Sequence, residues 1–219
     1  LNGNELKIKY HKQYDKGSTK PKGPNLNIHS VKITPKPESI QIQKTHPKIS
    51  VIIPSFNQGQ FLKACIDSIL SQKIPGTEVI VFDGGSTDET IEILNTYGEK
   101  IYWESKIDRG QTDAINKGLQ RSTGDILAYL NSDDTYYPNA FMRVLRHFSE
   151  NPDCLAIYGK CNHLKENGDF LESYNTQPWD YEKLQYECFI CQPGTFWRRE
   201  LIERYGLFDD RLNYCMDYE

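Results

Sequence analysis

Residues 127–134, Leu-Ala-Tyr-Leu-Asn-Ser-Asp-Asp, run from an apolar stretch straight into two adjacent carboxylates, Asp133 and Asp134. Side by side, these repel each other unless a cation lies between them and a ligand. Hard divalent ions with oxygen ligands, Mg²⁺ or Mn²⁺, suit such a place and commonly share a phosphate with the protein. Three further polar clusters follow apolar runs in the same way. Pro54, Ser55 and Asn57 follow one of them, and Asn57 with the backbone near Pro54 can hold the edge of a base. Asp83 closes a second and can accept from a base N–H. The third leads to residues 108–113, with Arg109 and Asp113, and on to Lys117; Arg109 and Lys117 are cations that can offset phosphate charge. Asn131, Ser132 and Asp133 then stand where a divalent ion would meet a diphosphate. The expected ligand is a nucleotide joined to a second group. Taken singly, each residue also has a plainer reading: Asp83 as the cap of its own turn, Asp134 as a turn residue, Arg109 and Lys117 as solvated cations.

These clusters need a scaffold that brings them to one edge, and the hydrophobic pattern supplies it. Residues 49–53 read as a buried strand stopped by Pro54. Phe61, Leu62, Cys65, Ile66, Ile69 and Leu70 recur at helical spacing until Pro75 and Gly76. A second strand covers 78–82, and Ser86 to Glu89 has the form of a capping box for a helix over 87–96. A strand over 101–104, a helix over 111–119 and a strand over 126–130 follow. Pro138 and Asn139 open another helix, with Phe141, Val144, Leu145 and Phe148 on its core face. Strand and helix alternating at this spacing imply an α/β fold with a mostly parallel, Rossmann-like sheet, whose ligands bind at the carboxyl ends of the strands. Beyond residue 151 the pattern predicts strands over 155–158 and 170–174 joined by a turn at 166–168. A helical stretch over 179–187, a strand over 195–197 and a helix ending near Gly206 complete a smaller subregion.

The chain has 219 residues, enough for one sizeable domain and an appendage. Its net charge of −4 argues against a general nucleic-acid binder. The charge is uneven: ten Lys against three acidic residues up to Lys48 give +7, leaving −11 for the remainder. Residues 1–47, with five prolines, are expected to form a basic linker or tail, and 48–219 the folded domain. Two readings of the tail stand open, a solvated linker and a peripheral contact with anionic lipid headgroups. Six Cys are too few for a disulfide scaffold and read as buried thiols; the lone Cys188–Cys191 pair lacks a second pair for zinc. No apolar run is long enough to span a membrane. The first residue is Leu, as in a piece cut from a longer protein.

The motifs VIIPSFN, EVIVFDGGSTDET, DRGQTDAINKGL, GDILAYLNSDD and MDYE stand in the order and spacing of the family 2 inverting glycosyltransferases of the GT-A fold, which residues 48–219 resemble. The pairing of QPGTFWRR with MDYE is most similar to the subgroup that builds bacterial surface polysaccharides, including O-antigens. The resemblance implies a donor that is a nucleotide-diphosphate sugar, usually UDP-linked, and a saccharide or lipid-linked saccharide acceptor. It implies a Mn²⁺ or Mg²⁺ cofactor and a cytoplasmic location, at most peripheral to the membrane. Asp83 would contact uracil, residues 131–133 would stand for the DxD motif with Asp133 on the metal, and Asp217 would be the general base. Gln192 and Thr195 would shape the acceptor side, or simply pack. The chain departs from the pattern at Asn131, where Asp is frequent, and at Met216, where Glu is frequent. It also stops two residues after Asp217, so a nucleotide-sugar-binding module without transfer activity is the alternative reading.

Overall fold

The computed structural model describes residues 47–165 and 168–212. Four strands, β1 (Ile49–Ser55), β2 (Glu78–Asp83), β3 (Tyr102–Ser105) and β4 (Ile126–Tyr129), pair in parallel in the order β3-β2-β1-β4. All seven residues of β1 are buried, as expected of a central strand covered on both faces. The short β5 (Ala156–Tyr158) lies at the far edge of the same sheet. β6 (Asn162–Leu164) and β7 (Phe170–Ser173) pair with each other as a separate two-stranded sheet. β8 (Thr195–Arg198) runs antiparallel between β4 and β5 and completes six strands among the described residues.

Helices cover both faces of the sheet. On one face α1 (Gly59–Leu70), α2 (Thr90–Asn95) and α4 (Ala140–Glu150) bury Leu62, Ile66, Leu94, Phe141 and Phe148 against Ile49, Val51 and Ile53. On the other, α3 (Gln111–Arg121) brings Ile115 and Leu119 against Ile52, Leu127 and Trp197. A single turn, α5 (Tyr181–Leu184), and α6 (Arg199–Tyr205) complete the set. This is the expected α/β architecture with a mostly parallel sheet.

Five local expectations need correction. Pro54 does not stop β1: it pairs with Phe82, and β4 has by then ended its own pairing with β1 at Ile52↔Tyr129. Beyond that rung β1 has lost its β4 neighbour, so a missing N–H breaks no ladder there. Ser86 and Glu89 form no capping box. The Ser86 hydroxyl bonds to Asp83, and Asp88 accepts from the Thr90 and Gly59 N–H groups instead. β7 is not the hairpin partner of β5, because β8 occupies that place and β7 pairs with the unforeseen β6. The helical stretch over 179–187 shrinks to the four residues of α5, capped by Asp180. Nor are the thiols uniformly buried: Cys188 is exposed.

Candidate active site

Because β2 and β4 both run parallel to β1 as its immediate neighbours, their carboxyl ends share one edge of the sheet. At ordinary strand spacing the two tips lie roughly 10 Å apart. Asp83 and the 131–134 segment are thus brought to the same edge.

At the β2 tip Asp83 is almost wholly buried. Its carboxylate accepts from the N–H groups of Gly85 (3.0 Å) and Ser86 (2.8 Å), from the Ser105 hydroxyl (2.6 Å) and from the Ser86 hydroxyl. Four donors saturate a carboxylate. Asp83 therefore organises the turn 84–86 and ties it to β3. The adjoining loop is held in the same way: the Asn57 N–H donates to Ser86 Oγ (2.7 Å) and its side-chain oxygen accepts from the Thr87 N–H (2.9 Å). Gly84 sits in a narrow place, where a Cβ would lie 3.3 Å from both the Asp108 carboxylate and the Phe56 ring. Phe56 is 59% exposed, a large apolar face left open beside this turn. Pro54 and Ser55 are buried, and Ser55 Oγ has no hydrogen-bond partner.

Asp113 is buried at the start of α3 and binds Arg109 Nη2 and Lys117 Nζ, each at 2.9 Å. The Arg109 guanidinium, helped by Lys117 and the Arg109 N–H, holds its carboxyl down to about 2. Arg109 also reaches Asp210 at 2.8 Å. Asp210 is brought there because Asn116 exchanges two hydrogen bonds with the Phe208 backbone, Nδ2 to O at 2.8 Å and N–H to Oδ1 at 3.0 Å. Sequence reasoning missed Asp210, since a contact across about a hundred residues leaves no local signal. Both cations are already paired: Arg109 is 72% exposed and lines the cleft, while Lys117 lies outside it.

The cleft, about 2410 Å³, opens beside the β4 tip and is lined by Arg109, Gln111, Asn131, Asp133, Asp134 and Gln192 among others. Asp133 is exposed; Ser132 is buried and does not line the cleft. Burial, and then the neighbouring Asp133, push the Asp134 carboxyl up to about 6 against the pull of a hydrogen bond from Asn131. Asp134 lines the cleft beside Asp133 and also closes the turn from Asn131, its N–H donating to the Asn131 carbonyl at 3.0 Å, so both sequence readings of the residue meet here. Gln192 Nε2 donates to the Tyr129 carbonyl at 2.7 Å. Thr195 Oγ1 donates to the Cys191 carbonyl at 3.0 Å and does not line the cleft. Asp83, Asn57, Ser55 and Asp113 frame the same edge without lining the cleft. Asp217 lies outside the described residues. Among those described, no three His, Cys, Asp or Glu side chains are grouped to hold a metal.

Residues 50–206 match glycosyl transferase family 2. A PGL/p-HBAD biosynthesis glycosyltransferase of Mycobacterium bovis is 31% identical over 182 residues, covering 79% of this chain and 68% of that protein. The chain belongs to glycosyl transferase family 2. An uncharacterised glycosyltransferase of Rickettsia prowazekii is 30% identical over 79% of this chain and 57% of its own length. In fold, this family 2 glycosyltransferase is similar to Staphylococcus aureus TarS (TM-score 0.60, 22% identity), covering 78% of this chain and 32% of TarS. It is similar also to the mannosyltransferase PcManGT of Pyrobaculum calidifontis, solved with GDP-Man and Mn²⁺ (TM-score 0.59, 22% identity, 77% of this chain and 49% of that one). A shorter form of TarS has been solved with UDP-GlcNAc. The chain thus spans between a third and a half of these solved proteins.

Proposed function

We propose that this glycosyltransferase takes its sugar from a nucleotide diphosphate, UDP in the first instance, and transfers it with inversion to a hydroxyl of a saccharide or lipid-linked saccharide in bacterial polysaccharide biosynthesis. The observation that carries this reading is the acidic pair at the end of β4. Asp133 is open to the cleft and Asp134 is held beside it at a cost that a divalent cation would relieve, as its raised carboxyl shows. The donor set of two carboxylates fits Mn²⁺ or Mg²⁺, completed by phosphate oxygens and water. Asp133, with Asp134, would hold the ion, which when bound supplies positive charge against the leaving diphosphate. The GDP-Man and Mn²⁺ of PcManGT and the UDP-GlcNAc of TarS support this choice of ligand class.

The chain's own residues divide the work. Phe56, exposed beside the turn that Asp83 organises, offers a face on which a base can stack. For Asp83 to contact the base, one of its four donors must leave, and the Ser86 hydroxyl can rotate away without moving the backbone. Ser55 Oγ offers a further, unused hydrogen bond. Arg109, steered by Asp113 and Asp210, sets a cation at the cleft wall near the diphosphate. Asp217 takes the proton from the acceptor hydroxyl as that oxygen attacks the anomeric carbon opposite the leaving group. Base catalysis of this kind contributes roughly 10²–10⁴-fold. Asp217→Asn therefore abolishes transfer and leaves donor binding in place.

A thermal-shift panel of nucleotide sugars, each with and without Mn²⁺, tests the reading. A ligand at about 100 times its Kd adds about 2.7 kcal/mol to the folded state. One nucleotide sugar should raise the midpoint with Mn²⁺ and fail without it. A panel in which none does so, or in which the cation makes no difference, removes the metal-dependent donor site.

A further inference from the structure

β4 and β8 share two rungs, Ile126↔Arg198 and Leu127↔Trp197, and then part. β8 continues along β5 as far as Tyr158↔Thr195. Gln192 bridges the gap that opens, its Nε2 donating to the Tyr129 carbonyl at 2.7 Å. A carbonyl only accepts, so it decides which end of the Gln192 amide faces the cleft. The outward Oε1 meets Asn131 Nδ2 at 3.4 Å. Asn131 Oδ1 in turn accepts from Gln111 Nε2, the first residue of α3, at 2.6 Å. The Asn131 backbone carbonyl accepts the Asp134 N–H at 3.0 Å, closing the turn that carries the acidic pair. The Tyr129 carbonyl thus sets the direction of three amides in series, and the middle one belongs to the residue that opens the turn carrying the acidic pair.

We propose that Gln111 and Gln192 are positioning residues of the transfer site, acting through Asn131 to hold the turn 131–134, and with it the acidic pair, at the cleft. Its purpose rests on the nucleotide-sugar reading above; its geometry does not. The arrangement explains why position 131 carries an amide. With Oδ1 engaged by Gln111, Nδ2 is left to donate to Gln192. A carboxylate at 131 would face the Gln192 oxygen and put a third negative charge beside Asp133 and Asp134. The relay also links the α3 side of the cleft to the acceptor-side segment through one side chain of β4's end.

Two measurements on the whole chain test it. The first is thermal melting without nucleotide. Asn131→Asp should lower the midpoint, and adding Mn²⁺ should recover more for it than for the parent. Gln192→Lys in that background should restore the cation-free midpoint, because an ammonium donates both to the Tyr129 carbonyl and to the new carboxylate. Gln111→Met and Gln192→Met should combine to less than the sum of their single effects, since each breaks the same series. The second is calorimetry with UDP and with GDP in Mn²⁺, where each Met variant should weaken binding about tenfold or less, the worth of roughly one hydrogen bond. Additive midpoints, or an Asn131→Asp protein that Gln192→Lys does not rescue, would overturn the relay. Nucleotide affinity left unchanged by both Met variants would overturn its positioning role. A parent that binds neither nucleotide would instead remove the nucleotide-sugar reading, and the melts would still judge the relay.

Discussion

The two halves of the molecule are held together differently. The tips of β1 and β2 rest on strands buried almost from end to end, and their loops are fixed by side chains that bond to backbone: Asp83 to Gly85 and Ser86, Asn57 to Thr87, Asp88 to Gly59. The β6–β7 pair has no buried residue, and Leu164, Phe170 and Leu171 on it are about half exposed. On the function proposed above, a firmly held half for the donor and a thinly supported one for the acceptor would suit an enzyme in which one substrate chemistry is constant and the other varies. The contrast makes quantitative demands on each half.

The largest effect belongs to the buried half. Phe141 is fully buried and packs edge-on against Tyr136 and Phe196, with ring centroids 5.1 and 5.9 Å away. Phe141→Ala should cost about 3–5 kcal/mol in urea unfolding. Gly124 follows: a Cβ there would sit 2.7 Å from the Ser50 backbone nitrogen, so Gly124→Ala forces β1 to move and should cost about 3 kcal/mol. Asp113→Asn comes next. Its carboxyl is held at about 2, below the ordinary 3.8, so its contribution is complete above about pH 4 and disappears as pH falls from there towards 2. Discounted for the exposure of Arg109, the loss at pH 7 is about 1–2 kcal/mol, and parent and variant should converge in unfolding curves taken near pH 2. The smallest effect lies in the exposed hairpin, where Phe170→Ala should move stability by about 0.5 kcal/mol or less. If Phe170→Ala cost as much as Gly124→Ala, the hairpin would be covered in solution and the contrast would fail.

The same contrast explains what could be read from the residues alone. β1, β2 and β4 announce themselves because burial on both faces demands continuous apolar runs, and α4 because Phe141, Val144 and Phe148 recur on one face. Asn162, His163 and Leu164 carry no such pattern, since a strand without a core face has no reason to alternate, so β6 leaves no trace in the sequence and the partner of β5 cannot be read from it. The candidate site divides along similar lines. Asp83, Asn131 and Asp133 are legible as polar residues ending apolar runs. The saturation of Asp83, the pairing of Arg109 with Asp210 and the series from Gln111 to Gln192 depend on contacts between distant segments and on which amide end faces which carbonyl. Periodicity encodes neither.

The central claim is that the β4-end carboxylates hold a cation on a nucleotide diphosphate. Calorimetric titration of the donor nucleotide, with and without Mn²⁺, into the parent chain, Asp133→Ala and Asp217→Asn tests it most directly. The account predicts Mn²⁺-dependent binding by the parent and by Asp217→Asn, and none by Asp133→Ala; equal binding by the parent and Asp133→Ala, with or without the cation, would contradict it.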